Sequence, residues 1–328
     1  MSASTAIDES NRPLVGIFFI LLGMTAISVN DMLIKYLSDG YPLHQIVFTR
    51  SLIGIAIGLI AVQFEGGFRI LRTSRAGLHV LRALLIVTAN LCFFMALAAM
   101  PLAEATAVFF IAPLVITLLS IPLLGEAVGP RRLIAVVVGF AGVLVMLGPG
   151  GGSEDGPGLF VALLPVAAAT CYALFQILTR RLGGVTKASA MAVYLQGGFL
   201  AVSLGFFAIA GDGRYAAETE NESLRFLFRA WVWPAGGDMW LFAGLGVISG
   251  IVAYALSQAY RSASAATVAP FEYIALPLAG LWGFAVFGEI PDLRALAGIA
   301  LILGAGLYVF ARERVRDRPR RDSHPVRR

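Results

Sequence analysis

Residues Ala269 to Asp292 read APFEYIALPLAGLWGFAVFGEIPD, and this stretch decides the architecture. It runs for about two dozen residues, enough to cross a bilayer. It carries two internal prolines, Pro270 and Pro277, and one carboxylate, Glu272, near its apolar start. It closes on a polar tip, Gly288-Glu289. The same plan appears once earlier: Thr106 to Glu126 is apolar, contains Pro113 and ends in Gly125-Glu126. The prolines are 164 residues apart and the tips 163. One element written twice at that distance marks the chain as a duplication.

Composition agrees. Of 328 residues, 58% are hydrophobic and 14% charged, where a soluble protein is nearer about a quarter charged. The mean hydropathy of +0.82 and the repeated apolar runs describe an all-α polytopic membrane protein. The polar start MSASTAIDESNRP leads into a run too long for a signal-peptide core and without a small-residue cleavage pattern, so that run reads as a retained first helix. Cys92 and Cys171 fall inside apolar runs and read as packed thiols. His44, His79 and His324 lie at helix edges or in the tail. There is no phosphate loop, and GPGGGSEDGPG (148–158) reads as a flexible connection. Neither a cofactor nor a metal is expected.

Apolar periodicity predicts ten transmembrane helices, near 14–37, 44–63, 77–98, 103–124, 132–148, 158–180, 188–209, 239–260, 264–287 and 293–311. With the N-terminus inside, Arg69, Arg72, Arg75, Arg131, Arg132, Arg180, Arg181, Lys187, Arg261 and the arginine-rich tail 312–328 fall in the cytoplasm. Only Arg214, Arg225, Arg229 and Arg294 fall outside, which favours an N-in/C-in topology in the inner membrane. The basic tail then faces anionic lipid; no nucleic acid need be invoked.

The halves 14–148 and 158–311 can be matched. NDMLIKYL (30–37) sets Asp31 beside Gln176 and Lys35 beside Arg180, and IVFTRSLIG (46–54) sets Arg50 beside Gln196. The added residues of the second half enter in the long polar loop 211–238, whose end FLFRAWVW (226–233) is expected in the outer interface. Five helices per half is an odd number, so the second half enters from the opposite side: an inverted 5+5 repeat.

Such repeats place a binding site near the midplane, lined by the rare polar residues of membrane helices. Glu272, with Tyr273 beside it, stands between Pro270 and Pro277 and reads as a carboxylate that binds a cationic substrate group or a coupling proton; the alternative is a structural carboxylate paired with an interhelical donor. Asn90 with Phe94, Tyr172 with Gln176, and Tyr254 with Gln258 each share one helix face, an aromatic beside an amide. They suit a cavity for an organic solute, or plain interhelical hydrogen bonds. Gln196 fits either account. Asp31 and Arg50 lie at similar depth on adjacent helices and suggest an outer ion pair, as a gate or as packing. Lys35 and Arg82 read as snorkelling side chains. Pro113, Pro270 and Pro277 mark helix kinks. Gly54xxxGly58 and Gly246xxxGly250 permit close helix contact.

With NDMLIKYL, HVLRALL, PLAEATAVFFIAPLVITLL, the Gly-Glu tips, RRLIAVVVGFAGVLVMLGPG and APFEYIALPLAGLWGFAVFGEIPD in view, the chain resembles the drug/metabolite transporter superfamily in its EamA branch. The resemblance covers about residues 14–311. It implies two EamA repeats around a central cavity, and the NDxxxKYL, HxLR and APFEY-type patterns look closest to bacterial S-adenosylmethionine and riboflavin uptake carriers. The expected function is secondary transport of a small organic metabolite by alternating access, the substrate S-adenosylmethionine-like, a flavin or an amino acid, with protons as candidate coupling ion and the lipid bilayer as surroundings. An exporter of the same fold is one alternative, and a non-transport membrane protein, an intramembrane enzyme or a sensor, is another.

Overall fold

The computed structural model of the chain describes residues 13–73, 75–125, 128–147, 158–182, 188–262 and 269–316. Glu126, the glycine-rich connection and residues 317–328 of the tail lie outside the described residues. These are helical: α1 (Pro13–Leu37), α2 (Leu43–Glu65), α3 (Ala76–Ala99), α4 (Leu102–Phe109), α5 (Ala112–Leu124), α6 (Pro130–Leu147), α7 (Leu159–Leu182), α8 (Ala188–Ala210), α9 (Glu222–Phe228), α10 (Asp238–Ser262), α11 (Ala275–Phe287) and α12 (Leu293–Arg316), with 3-10 turns at Phe68–Leu71 and Ala269–Ile274. Among the described residues there is no strand. Among the described residues seven segments are long and apolar enough to cross a membrane: Pro13–Leu37, Leu43–Glu65, Ala76–Ala99, Leu102–Leu123, Leu159–Thr179, Ser189–Ala210 and Asp238–Leu256. Three shorter apolar helices, Leu133–Met146, Phe271–Phe287 and Leu293–Val309, complete the bundle.

Two of these segments are broken, and they are broken alike. A proline cannot donate to the carbonyl four residues back and crowds it. Four residues before Pro113 is Phe109, where α4 ends; α5 then starts afresh with Pro113 in its first turn. Four residues before Pro277 is Tyr273, inside the 3-10 turn that precedes α11. Both following helices have 13 residues. Both end on a left-handed glycine, Gly125 at φ 69° and Gly288 at φ 68°, a conformation that glycine takes without strain. The two elements differ from the unbroken kinked helices expected from sequence because a first-turn proline forfeits no helical donor, so each starts a new helix.

The helices pack most extensively in four pairs: α1 with α10, α3 with α7, α2 with α8, and α6 with α12. Small residues set the closest approaches. A Cβ on Gly142 of α6 would lie 2.9 Å from the Gly298 carbonyl oxygen of α12, and one on Gly298 would lie 2.7 Å from the Gly142 oxygen. Gly54 and Gly58 of α2 receive Gln196 and Val193 of α8, while Gly246 and Gly250 of α10 receive Ile53 and Ile57. Close packing of this kind is the main source of helix association where lipid is as apolar as the side chains.

One end of the bundle is capped. The expected interfacial segment instead folds inward, because α9 buries Phe226 and Leu227 against α2 and α3. The Ser223 hydroxyl donates to the Met95 carbonyl at 2.6 Å. Gln45 is bonded twice to Val232, donating at 2.6 Å and accepting at 3.2 Å. Tyr41 donates to Asp238 at 2.6 Å and accepts from the Ala235 amide at 3.0 Å; the carboxylate as acceptor holds the phenol above its ordinary pKa. His44 is fully buried, its Nδ1 on the Leu227 carbonyl at 2.9 Å and its ring stacked between Trp231 and Phe206. Trp233 and Trp240 remain 85% and 80% exposed.

Candidate functional site

Asn30, with Asp31 beside it near the end of α1, reaches Arg50 near the start of α2. Asn90 and Phe94 reach the same place from α3. Arg50 donates from Nη2 to Asn90 Oδ1 at 2.7 Å and from Nη1 to Asn30 Oδ1 at 3.5 Å. Asn30 donates to Asp31 Oδ1 at 3.0 Å. The direct Asp31–Arg50 ion pair expected from sequence is not made. The Asn30 amide stands between the two charges, which remain within electrostatic reach of each other. The guanidinium also lies over two rings, Phe94 and Phe199, each 5.4 Å from centroid to Cζ.

From Phe94 a row of rings crosses the interior. Phe94 to Phe93 is 5.5 Å, Phe93 to Phe109 5.1 Å, Phe109 to Tyr172 5.4 Å and Tyr172 to Phe175 6.1 Å between centroids. A second guanidinium ends the row: Arg82 lies 4.7 Å over Phe175 and donates from Nε to Thr179 at 2.7 Å. Arg82 is buried, so it does not snorkel; the aromatic face and the hydroxyl replace the interface as its surroundings. Gln176 donates to the Tyr172 hydroxyl at 2.7 Å, one helical turn apart on α7.

Glu272 and Tyr273 sit in the 3-10 turn before α11, both half-buried. Glu272 lies within electrostatic reach of Tyr172, a ring of that row. The Tyr273 ring packs 5.2 Å from Phe110, at the first break, and its hydroxyl fills the space left by Gly306 of α12. The two interrupted segments are therefore neighbours.

Other expected site residues do not join this group. Gln196 occupies the notch at Gly54, between α2 and α8. Tyr254 is 60% exposed and packs edge-on to Phe19 at 5.9 Å, with Gln258 donating to its hydroxyl at 3.3 Å. That face points away from the row because α10 turns its small residues, Gly246 and Gly250, toward α2. Cys92 and Cys171 are free thiols. Among the described residues no cluster of His, Cys, Asp and Glu could hold a metal.

Sequence reading missed Asn30 and the partner of Lys35. Lys35 does not snorkel: its Nζ lies 2.6 Å from Glu289 Oε1 and donates to the Met100 carbonyl at 2.6 Å. Glu289 Oε2 accepts from the Leu102 amide at 2.8 Å, at the start of α4. The repeated Gly-Glu tip and the basic residue at 35 were the available signals.

The model of the EamA-like transporter family matches residues 14–148. The match covers the first half of the chain. The family is a branch of the drug/metabolite transporter superfamily. The whole chain is similar to the S-adenosylmethionine uptake transporter of Rickettsia felis, 28% identical over 94% of this chain and 96% of that protein. It is similar to the riboflavin transporter of Rhizobium johnstonii, 29% identical over 97% and 98%. The riboflavin transporter of Vibrio cholerae is 28% identical over 95% and 98%. A solved crystal structure shares the fold, with a TM-score of 0.60 at 23% identity over 93% of this chain and 98% of the other. The protein is a multi-pass membrane protein, in a bacterium one of the inner membrane. The matched residues 14–148 include Arg50, Asn90 and the ring row as far as Phe109, and the second half supplies Tyr172, Gln176, Glu272 and Tyr273.

Proposed function

We propose that the protein is a secondary carrier, not an enzyme, that moves a small organic metabolite by alternating access between two inverted halves, residues 14–148 and 158–311, both termini and the tail 312–328 lying in the cytoplasm. The observation that carries this reading is the pair of matched broken helices. Each ends in a 13-residue helix with a left-handed cap glycine, and the two are neighbours, with Glu272 in the turn that opens the second. Interrupted helices at the interface of inverted repeats are where secondary transporters bind substrate and coupling ions. Helix packing supports the same symmetry. Matching α1 to α7 and α3 to α10 turns the α1–α10 pair into the α7–α3 pair, while α2–α8 and α6–α12 each map onto themselves.

The names of the relatives support S-adenosylmethionine-like or flavin substrates, with amino acids as the third class. Import is the reading those names favour; an exporter of the same fold is the second. In this reading Glu272 binds a coupling proton or a cationic group of the solute, because a carboxylate at this depth turns to a cavity or a partner rather than to lipid. The test is Glu272→Gln in proteoliposomes. As a proton site, its loss abolishes uphill accumulation and spares binding and exchange. As a cation site, its loss weakens binding itself. Wild-type behaviour in both assays with normal expression would remove Glu272 from the site.

A further inference from the structure

The Arg50 charge is held by two side-chain amides and not by a carboxylate. A guanidinium has five N–H donors. Two of them meet side-chain amide oxygens, of Asn30 and Asn90. Among the described residues no carboxylate lies within ion-pair distance of it and no further acceptor engages it, yet Arg50 is only half-buried. Asp31, its natural counter-ion, is also half-buried and among the described residues is hydrogen-bonded by the Asn30 side chain alone. Lys35, one turn further along α1, shows the contrast: its ammonium is joined directly to Glu289. Charges at membrane depth are costly unless something compensates them. Here the protein supplies both signs side by side and inserts the buried Asn30 amide so that they do not close on each other.

We infer that Asp31, Asn30, Arg50 and Asn90 form the receptor for an α-amino-acid head group. The α-carboxylate takes the open N–H groups of Arg50, and the α-ammonium takes the free oxygen of Asp31. A direct Asp31–Arg50 pair would leave neither charge available; two charges held apart by an amide match a zwitterion whose own charges flank one carbon. Arginine suits the carboxylate because its planar fork can bind it with two parallel bonds. The rest of the solute follows the aromatic row, which begins at Phe94 under Arg50 and continues to the half-buried rings of Phe109 and Tyr172. The substrate class is thus an amino acid with an aromatic or heteroaromatic extension, and flavins, which lack the head group, are disfavoured. This deepens the carrier reading and rests on it for the word substrate.

The experiment is binding to the purified full-length chain in nanodiscs, using compounds that differ only in the head group. One series is tryptophan, tryptamine and indole-3-propionate; the other is S-adenosylmethionine and its decarboxylated form; riboflavin is the probe without a head group. The wild type should bind the intact amino acid of at least one series tenfold or more tighter than its truncated partners. Arg50→Gln should erase the preference for the carboxylate, Arg50→Lys should keep part of it, and Asp31→Asn should erase the preference for the ammonium. Equal affinity across each series, preferences that survive the substitutions, or no binding of either series would overturn the receptor. Uptake of the same compounds into proteoliposomes separates the two readings. The expected binding pattern without uptake removes the carrier and leaves the receptor. Uptake of riboflavin alone, indifferent to Arg50 and Asp31, removes the receptor and leaves the carrier.

Discussion

The Lys35 ammonium and the Glu289 carboxylate meet at 2.6 Å and join the end of α1 to the turn after α11. The pair is more than an ion pair, because the second oxygen of Glu289 receives the Leu102 amide that opens α4. Three chain segments from the two halves thus depend on one carboxylate. Glu289→Ala removes both bonds and Glu289→Gln keeps an acceptor for Leu102. Thermal melts should therefore rank Glu289→Ala as the most damaging, at about 3 kcal/mol, with Lys35→Met and Glu289→Gln milder. The charge exchange Lys35→Glu with Glu289→Lys should restore the pair but not full stability, since a lysine cannot accept from Leu102. Full recovery by the exchange would show that the helix-end contact contributes nothing.

Pro113 and Pro277 should act on transport more than on folding. Each stands in a first turn, where no helical donor is lost. Pro113→Ala supplies an N–H for the Phe109 carbonyl and lets α4 and α5 close into one helix. We expect uptake to fall at least about tenfold, roughly 1.4 kcal/mol in barrier terms, with a melting temperature close to wild type. Unchanged uptake in both alanine variants would make the breaks incidental.

The α6–α12 contact offers a control within one helix. Gly298→Ala places a methyl 2.7 Å from the Gly142 carbonyl oxygen, backbone that has no rotamer to yield, and should cost about 1–3 kcal/mol. At Gly304, on the same helix, a Cβ meets nothing within 4 Å; Gly304→Ala should be neutral or stabilise by up to about 1 kcal/mol. Melting curves of the two variants that coincide would contradict the geometry.

The cap should detach as a unit. Phe226→Ala empties a fully packed site and should cost about 3–5 kcal/mol, exposing residues 211–237 to limited proteolysis before the bundle melts. Alkaline pH should act on the same region. Tyr41 has its pKa raised in the folded protein, so its contribution is present below the ordinary phenol pKa of about 10 and is lost as pH rises through the folded value. Tyr41→Phe should remove that alkaline step from a pH titration of cap protection. Cleavage rates that do not change with either substitution would mean the loop is not held by these contacts.

Much of the fold was legible because membrane helices obey one rule, a long apolar run, and the two proline-glycine elements could be matched by eye. The helix breaks at Phe109 and Ile274 were legible as prolines but not as breaks, since a proline tolerated in a first turn and one that kinks a helix look the same in sequence. Asn90, Phe94, Tyr172 and Gln176 could be found from their spacing. Tyr254 and Gln258 have the same spacing and face elsewhere, because spacing fixes which residues share a face and not which neighbour that face meets. Asn30 could not be singled out beside Asp31: its importance comes from Arg50, twenty positions away, and only the bond between the two side chains reveals it. Lys35 was misread for the same reason, its partner lying on a different half of the chain.

Four tryptophans occur in the chain, Trp231, Trp233, Trp240 and Trp282. The first three belong to the capped end, and Trp282 donates to Ser28 about two turns from the Lys35–Glu289 contact at that same end. The protein is therefore labelled by its own fluorophores on one side only. Their emission reports changes at that end alone, so stopped-flow fluorescence on the unmodified protein can test for the movement that alternating access requires, without any attached dye.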